Sequence, residues 1–262
     1  MATLEKDQIK GILFDLDGVL YVGNQVIEGA GDTLAWLQEQ HIPFRFITNT
    51  STRTTADVAR KLRGMGFAID ASHIFSAVSA TRDFLGQQGS PSVHLLIRES
   101  ARAEFDEFPQ NSDNPDYVVV GDIGAAWDYQ LLNRVFNELM NGAELVAMHM
   151  NKYWQTENGL QMDIGAFVAG LEFVTGKHAR IIGKPTADFF LLAAENLGLA
   201  PDQVLVVGDD IDNDVGGAQA AGLQGVLVKT GKYRAELANR SEVSPNALID
   251  SVADLPGLLQ QD

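Results

Sequence analysis

Short apolar runs at 11–16, 43–47, 92–97, 117–120, 145–148, 180–182, 204–207 and 225–228 punctuate the whole chain. Most are rich in Val, Ile and Phe, too short for helices, and followed by Gly, Asp, Asn or Thr. Buried strands that end in turns read this way. Between them the apolar period changes to that of a helix. Ala30, Leu34, Leu37 and His41 recur at helical spacing, as do Val58, Leu62 and Met65 before Gly66. Phe189, Leu192, Ala193 and Leu197 do the same before Gly198. Strands alternating with helices of this length predict an α/β fold, a doubly wound parallel sheet covered on both faces. In such sheets ligands sit beyond the carboxyl ends of the strands, so the residues just after each run are where chemistry is sought.

The 262 residues suffice for one large domain or two modest ones. The stretch 79–177 reads as an inserted α/β domain, leaving 1–78 and 178–262 as the main one. Within the insert, Glu157-Asn158-Gly159 joins two short segments and tolerates a tight hairpin turn, which predicts antiparallel pairing there. Asp and Glu total 35 against 19 Lys and Arg, a net charge of −16 that repels nucleic acid. No cysteine is present, which excludes disulfides, thiolate metal sites and cysteine nucleophiles. No run approaches the ~20 apolar residues of a membrane span, and the first residues lack a signal-peptide core. A cytoplasmic protein with no membrane partner is expected.

Four strand ends carry polar residues of interest. The first run ends in Phe14-Asp15-Leu16-Asp17-Gly18; two carboxylates two residues apart project from one side and repel unless a divalent cation neutralises them. A solvated turn explains the same residues equally well. The second run leads into Thr48-Asn49-Thr50-Ser51, a seat for an anion or a simple helix cap. Ile182-Gly183-Lys184-Pro185 sets a lysine at a strand end; the absence of the earlier glycine and following hydroxyl of a P-loop argues against Walker-type nucleotide binding. Finally, Gly208-Asp209-Asp210-Ile211-Asp212-Asn213-Asp214 crowds four acids after a buried strand. The glycine and glutamate of a calcium-binding EF-hand loop are missing, so another cation is favoured. A doubly wound sheet would gather all four ends into one crevice. Carboxylates, a hard cation and a lysine together suggest phosphoryl chemistry.

These four segments, in this order and at these separations, resemble the motifs of the haloacid dehalogenase (HAD) superfamily of phosphohydrolases. The insertion after the second motif is similar to that of its NagD-like subfamily IIA, which carries a large α/β cap; Gly165-Ala166-Phe167-Val168 with Leu171-Glu172 adds to the likeness. The resemblance implies a Rossmann-like core, a cap domain and a Mg2+-dependent phosphatase acting on a small phosphomonoester, pyrophosphate or phosphoamide. It implies Asp15 as the nucleophile that forms an aspartyl phosphate, and Asp17 as general acid and then base. Mg2+ would be held by Asp15, the backbone carbonyl of Asp17, and Asp209. Thr48, Asn49 and Lys184 would bind the phosphate, while Asp214 and Asp210 would orient Lys184 or a water at the metal. The subfamily often dimerises through its caps, which implies a homodimer as a partner arrangement. P-type ATPases place threonine where Asp17 stands, and halide-releasing dehalogenases lack this second acid. Phosphotransfer to a bound hydroxyl uses the same residues and remains an alternative; a non-catalytic phosphate-binding module ranks last because no motif residue is lost. One departure stands out. Where NagD-like caps carry Asn-Pro-Asp, this chain has His149-Met150-Asn151-Lys152-Tyr153-Trp154, so a sugar-phosphate or nucleotide substrate is not implied. His149, Lys152, Tyr153 and Trp154 are candidates for leaving-group contact, and an ordinary half-buried strand accounts for them as well.

Overall fold

The computed structural model describes residues 3–156 and 159–260. Its strands in chain order are β1 (Gly11–Asp15), β2 (Tyr21–Val22), β3 (Gln25–Val26), β4 (Phe44–Thr48), β5 (Ile74–Ser76), β6 (Val93–Leu96), β7 (Tyr117–Val120), β8 (Glu144–Ala147), β9 (Tyr153–Thr156), β10 (Gly159–Met162), β11 (Arg180–Ile181), β12 (Val204–Gly208), β13 (Gln224–Val228) and β14 (Ala247–Ile249). The chain divides into two compact units. The first comprises the residues up to Thr48, then Ala56–Phe75, and those from Lys184 onward; the second comprises Asn49–Thr55 and Ser76–Gly183.

The first unit is built on a six-stranded sheet in the order β14-β13-β12-β1-β4-β5. β1 pairs in parallel with both β12 and β4, aligning Phe14 with Val207 and Asp15 with Ile47. Every residue of β1, β12 and β13 is buried, as strands covered on both faces must be. On one face Phe14, Phe44 and Phe46 pack ring to ring at 5.5–6.3 Å, within a core that includes Leu34, Leu37, Val58 and Leu62 from the flanking helices Ala30–Glu39 and Thr55–Gly64. From β1 the chain winds outward through β4 to β5; after the second unit it re-enters beside β1 and winds the other way through β12, β13 and β14. The switch point therefore lies between β1 and β12, where a parallel sheet opens a crevice at its carboxyl edge.

The second unit has its own parallel sheet, β11-β8-β7-β6, whose inner residues Val118, Val120, Leu145 and Ala147 pack against Val135, Leu139, Val168 and Leu171 of two helices. A separate pair, β9 and β10, is antiparallel, as expected of that segment. The turn residues Glu157 and Asn158 lie outside the described residues, as does the Trp154 side chain.

The division departs from the sequence expectation at its edges. Run 180–182, expected in the main domain, supplies β11, which pairs with β8 through Arg180 opposite Val146 and Ile181 opposite Ala147. The later boundary accordingly falls between Gly183 and Lys184, not at 177/178. The earlier one falls at Phe75, not 78. Residues 49–55 also join the second unit, because side chains there hold them: Thr55 donates its N–H and hydroxyl to Glu104 Oε1 at 3.0 and 2.9 Å, and Ser100 Oγ donates to the Thr52 carbonyl at 2.6 Å.

Candidate active site

β1 brings Asp15 to the carboxyl edge of the first sheet with 6% of its surface exposed, and β12 brings Asp209 there with 1%. The next segment, a wide π-type helix over Ile211–Gly216, turns Asp214 back toward them. Asp15, Asp209 and Asp214 each present a carboxylate oxygen within 4.8 Å of the others, all three buried. Lys184, itself 5% exposed, lies between two of them and donates to Asp15 Oδ1 at 2.6 Å and to Asp214 Oδ1 at 2.7 Å. Residues 169 and 30 positions from the lysine thus meet at one ammonium.

Burial opposes the charge on Lys184, but Asp15 and Asp214 outweigh it and raise its pKa. Among the acids the balance runs the other way. Burial, reinforced by the charges of Asp15 and Asp214, pushes Asp209 up to about 7. Asp214 is likewise raised by burial, against the pull of Lys184. Acids that cannot all ionise together define a place for positive charge.

The distribution of hydrogen bonds says where that charge belongs. Asp209 Oδ2 accepts the N–H of Lys232 at 2.6 Å, whereas Asp209 Oδ1 is buried with no hydrogen-bond partner. An orphaned, potentially anionic oxygen in a dry site costs about 1–3 kcal/mol or more unless a ligand takes it up. Beside two further carboxylates, a hard divalent cation with oxygen ligands fits. The backbone leaves room on the same side. Gly18 has φ +99°, and a Cβ there would overlap Asp209 Oδ2, so only glycine permits the turn after Asp17 to approach so closely.

The other expected residues fall in different places. Asp17 stands just beyond β1. Burial first, and the Asp15 charge second, raise its pKa, although Lys61, Lys232 and a hydrogen bond from the Gly23 backbone lower it. Thr48, buried, ends β4 next to β1 in the first unit. Asn49 belongs to the second unit, so the structure does not join it to the acid cluster. Asp210 caps the following helical turn: its side chain accepts the N–H of Asp212 at 3.2 Å and of Asn213 at 3.0 Å, and the Asn213 amide at 2.7 Å. Burial alone would raise its pKa, but these donors lower it. Asp210 does reach the cluster through its backbone, whose N–H donates to Asp214 Oδ2 at 3.2 Å.

Sequence reasoning missed the turn after β13. There Thr230 Oγ1 donates to the Gly18 carbonyl, and Lys232 supplies the donor to Asp209. The signal was available, since run 225–228 is followed by Thr230-Gly231-Lys232 at the same edge of the same sheet. Among the cap candidates, His149 is buried and its Nε2 lies 3.3 Å from Ser51 Oγ, while Lys152 and Tyr153 are exposed.

By fold and site, this is an α/β protein with three buried acids gathered at the switch point of a parallel sheet. Residues 12–109 match a family described as haloacid dehalogenase-like hydrolase, and residues 181–255 one described as HAD-hydrolase-like. The haloacid dehalogenase-like hydrolase domain-containing protein 2 of Bos taurus is 37% identical over 245 residues, covering 94% of this chain and 92% of that protein. The human phospholysine phosphohistidine inorganic pyrophosphate phosphatase is 33% identical, covering 97% and 95% respectively. Among solved structures, the 4-nitrophenylphosphatase of Thermotoga maritima superposes with a TM-score of 0.91 at 27% identity, over 97% of this chain and 99% of that one. The chain belongs to the HAD superfamily, as a phosphatase of subfamily IIA.

Proposed function

We propose that the protein is a Mg2+-dependent phosphatase that hydrolyses a small phosphomonoester through a phosphorylated Asp15. The observation that carries this reading is the buried convergence of Asp15, Asp209 and Asp214, with Asp209 Oδ1 left without a partner, in a chain of a phosphatase subfamily.

Asp15, Asp209 and the backbone carbonyl of Asp17 would hold Mg2+, with Asp214 beside them. When bound, the cation neutralises the clustered carboxylates and polarises the phosphoryl group. Lys184 fixes one oxygen of Asp15. The Asp15 carboxylate attacks phosphorus in line, forming an O–P bond as the bond to the leaving oxygen breaks. Asp17, its pKa raised, delivers its proton to that oxygen. Now ionised, Asp17 takes a proton from water, the hydroxyl oxygen attacks phosphorus, and inorganic phosphate leaves with Asp15 restored. Thr48 at the end of β4 and the Asn49 amide after it are assigned to the phosphoryl oxygens.

Turnover of p-nitrophenyl phosphate with Mg2+ tests the proposal. The wild-type chain is expected to release p-nitrophenol, Asp15→Asn to abolish release, and chelation of the metal to stop it. Full activity in Asp15→Asn would overturn the reading. Pyrophosphate and phosphoamides, the substrates in the name of the human relative, belong in the same screen.

A further inference from the structure

We propose that Lys232 is a second cationic contact for the phosphoryl group, presented by the turn that follows β13. The inference rests on the phosphatase reading and adds to it a residue outside the four motif segments.

Three observations carry it. The turn is pinned at two points to the acid cluster: Thr230 Oγ1 donates to the Gly18 carbonyl, and the Lys232 N–H donates to Asp209 Oδ2 at 2.6 Å. Between them Gly231, at φ +61°, comes so near that a Cβ would overlap both Gly18 Cα and Asp209 Oδ2. The Lys232 backbone is therefore fixed against a metal-binding carboxylate, and its side chain starts at the rim of the crevice.

Second, the two lysines at this edge are used differently. Lys184 is buried and committed to Asp15 and Asp214. Lys232 is exposed, and no carboxylate of the described residues forms an ion pair with its ammonium. Partial loss of water around that ammonium and the charge of Lys184 lower its pKa, but Asp15, Asp209 and Asp214 outweigh both and raise it, so it lies in the field of the acids. A cation held in the field of the acids, yet paired with none, is available to an incoming anion.

Third, the charges require it. Three carboxylates and a phosphoryl dianion outweigh a divalent cation together with Lys184. Lys232 reduces the excess on the solvent side, where substrate arrives and phosphate departs. Hydrogen bonds between ionised partners are the strong ones.

Calorimetric binding of Mg2+ alone, and of inorganic phosphate with Mg2+ present, tests the role on the whole chain. Lys232→Met keeps the backbone N–H to Asp209. It is expected to weaken phosphate binding about tenfold to a hundredfold, the scale of one charge-assisted hydrogen bond, and to raise KM for p-nitrophenyl phosphate in parallel. Mg2+ affinity should stay the same or tighten, since a positive charge has left its neighbourhood. Lys232→Arg should retain most phosphate affinity. Unchanged phosphate affinity in Lys232→Met, an equal loss of Mg2+ affinity, or a wild-type chain that binds no phosphate with Mg2+ would each overturn the inference. Intact phosphate binding without turnover would overturn the phosphatase reading instead and leave this one standing.

Discussion

Two parallel sheets in this molecule end in polar residues, and only one of them ends in unbalanced charge. At the carboxyl edge of the second sheet, Asp122 pairs with Arg98 at 3.0 Å and accepts the Gly124 N–H at 2.7 Å. His149 sits buried beside Ser51, and burial lowers its pKa despite the charges of Asp163 and Asp122, which keeps it neutral near pH 7. Away from that edge, buried Glu138 has one oxygen 2.8 Å from His94 and its other oxygen without a partner, yet it is a lone acid with no second carboxylate gathered on it among the described residues. At the edge of the first sheet, three buried acids crowd together, two of them on one buried lysine, and an oxygen of the third is left over. Position beyond a strand end is common to both sheets. What distinguishes the candidate active site is negative charge that the chain itself does not neutralise.

Substitution at the two edges should therefore differ by orders of magnitude. The largest effect is expected on turnover: Asp15→Asn should lower kcat for p-nitrophenyl phosphate at least about a thousandfold, as removal of a nucleophile does. Asp122→Asn, at the other edge, should keep kcat within a few-fold. Comparable losses would remove the distinction.

Stability gives the next contrast. Lys184→Met strands Asp15 and Asp214 without their cation and should cost about 3–5 kcal/mol in urea unfolding without metal, with part of the loss recovered on adding Mg2+. Arg98→Ala breaks a partly exposed pair and should cost no more than about 1 kcal/mol.

The acid cluster should also make metal binding depend on pH. Asp209 titrates at about 7 in the folded chain against 3.8 as an ordinary aspartate. The folded form holds the proton more tightly, so this group's stabilising contribution is complete below pH 3.8 and lost as pH rises toward about 7. Thermal melts of the metal-free chain should fall across that window, and Mg2+ should restore them near neutrality. Because a proton must leave for the cation to bind, calorimetry should show Mg2+ affinity rising by up to about tenfold per pH unit below 7. A flat profile would mean that Asp209 does not face the cation. The smallest effect concerns Asp210, whose carboxylate caps a helix: Asp210→Ala should cost about 1 kcal/mol of stability and leave Mg2+ affinity nearly unchanged.

Much of this was legible in the sequence for one physical reason. A strand covered on both faces must be largely apolar, so β1, β7 and β12 stand out as runs, and the residues closing them are marked as well. That logic located Asp15, Asp209 and Asp214, whereas Lys184 meets them although the run before it, β11, belongs to the other sheet. It failed where the deciding contact is long-range or the element too short to carry a period. β2 and β3 have two residues each and β14 three. The pairing of β11 with β8, and the grip of Glu104 on Thr55, join positions that no local pattern links. Asp210 and Asp214 look alike in sequence, yet one folds onto backbone N–H groups and the other onto Lys184. Lys232 was overlooked because its Thr-Gly-Lys turn holds no acid, although it answers to the same strand-end rule.

The charge imbalance at the first sheet is tested most directly by soaking crystals of the wild-type chain in Mn2+ and computing an anomalous difference map. One peak among Asp15, Asp209 Oδ1 and the Asp17 carbonyl, absent in Asp209→Asn, is the expected result. A map with no peak there, or with its peak at Asp122 and His149 in the second unit, would contradict it.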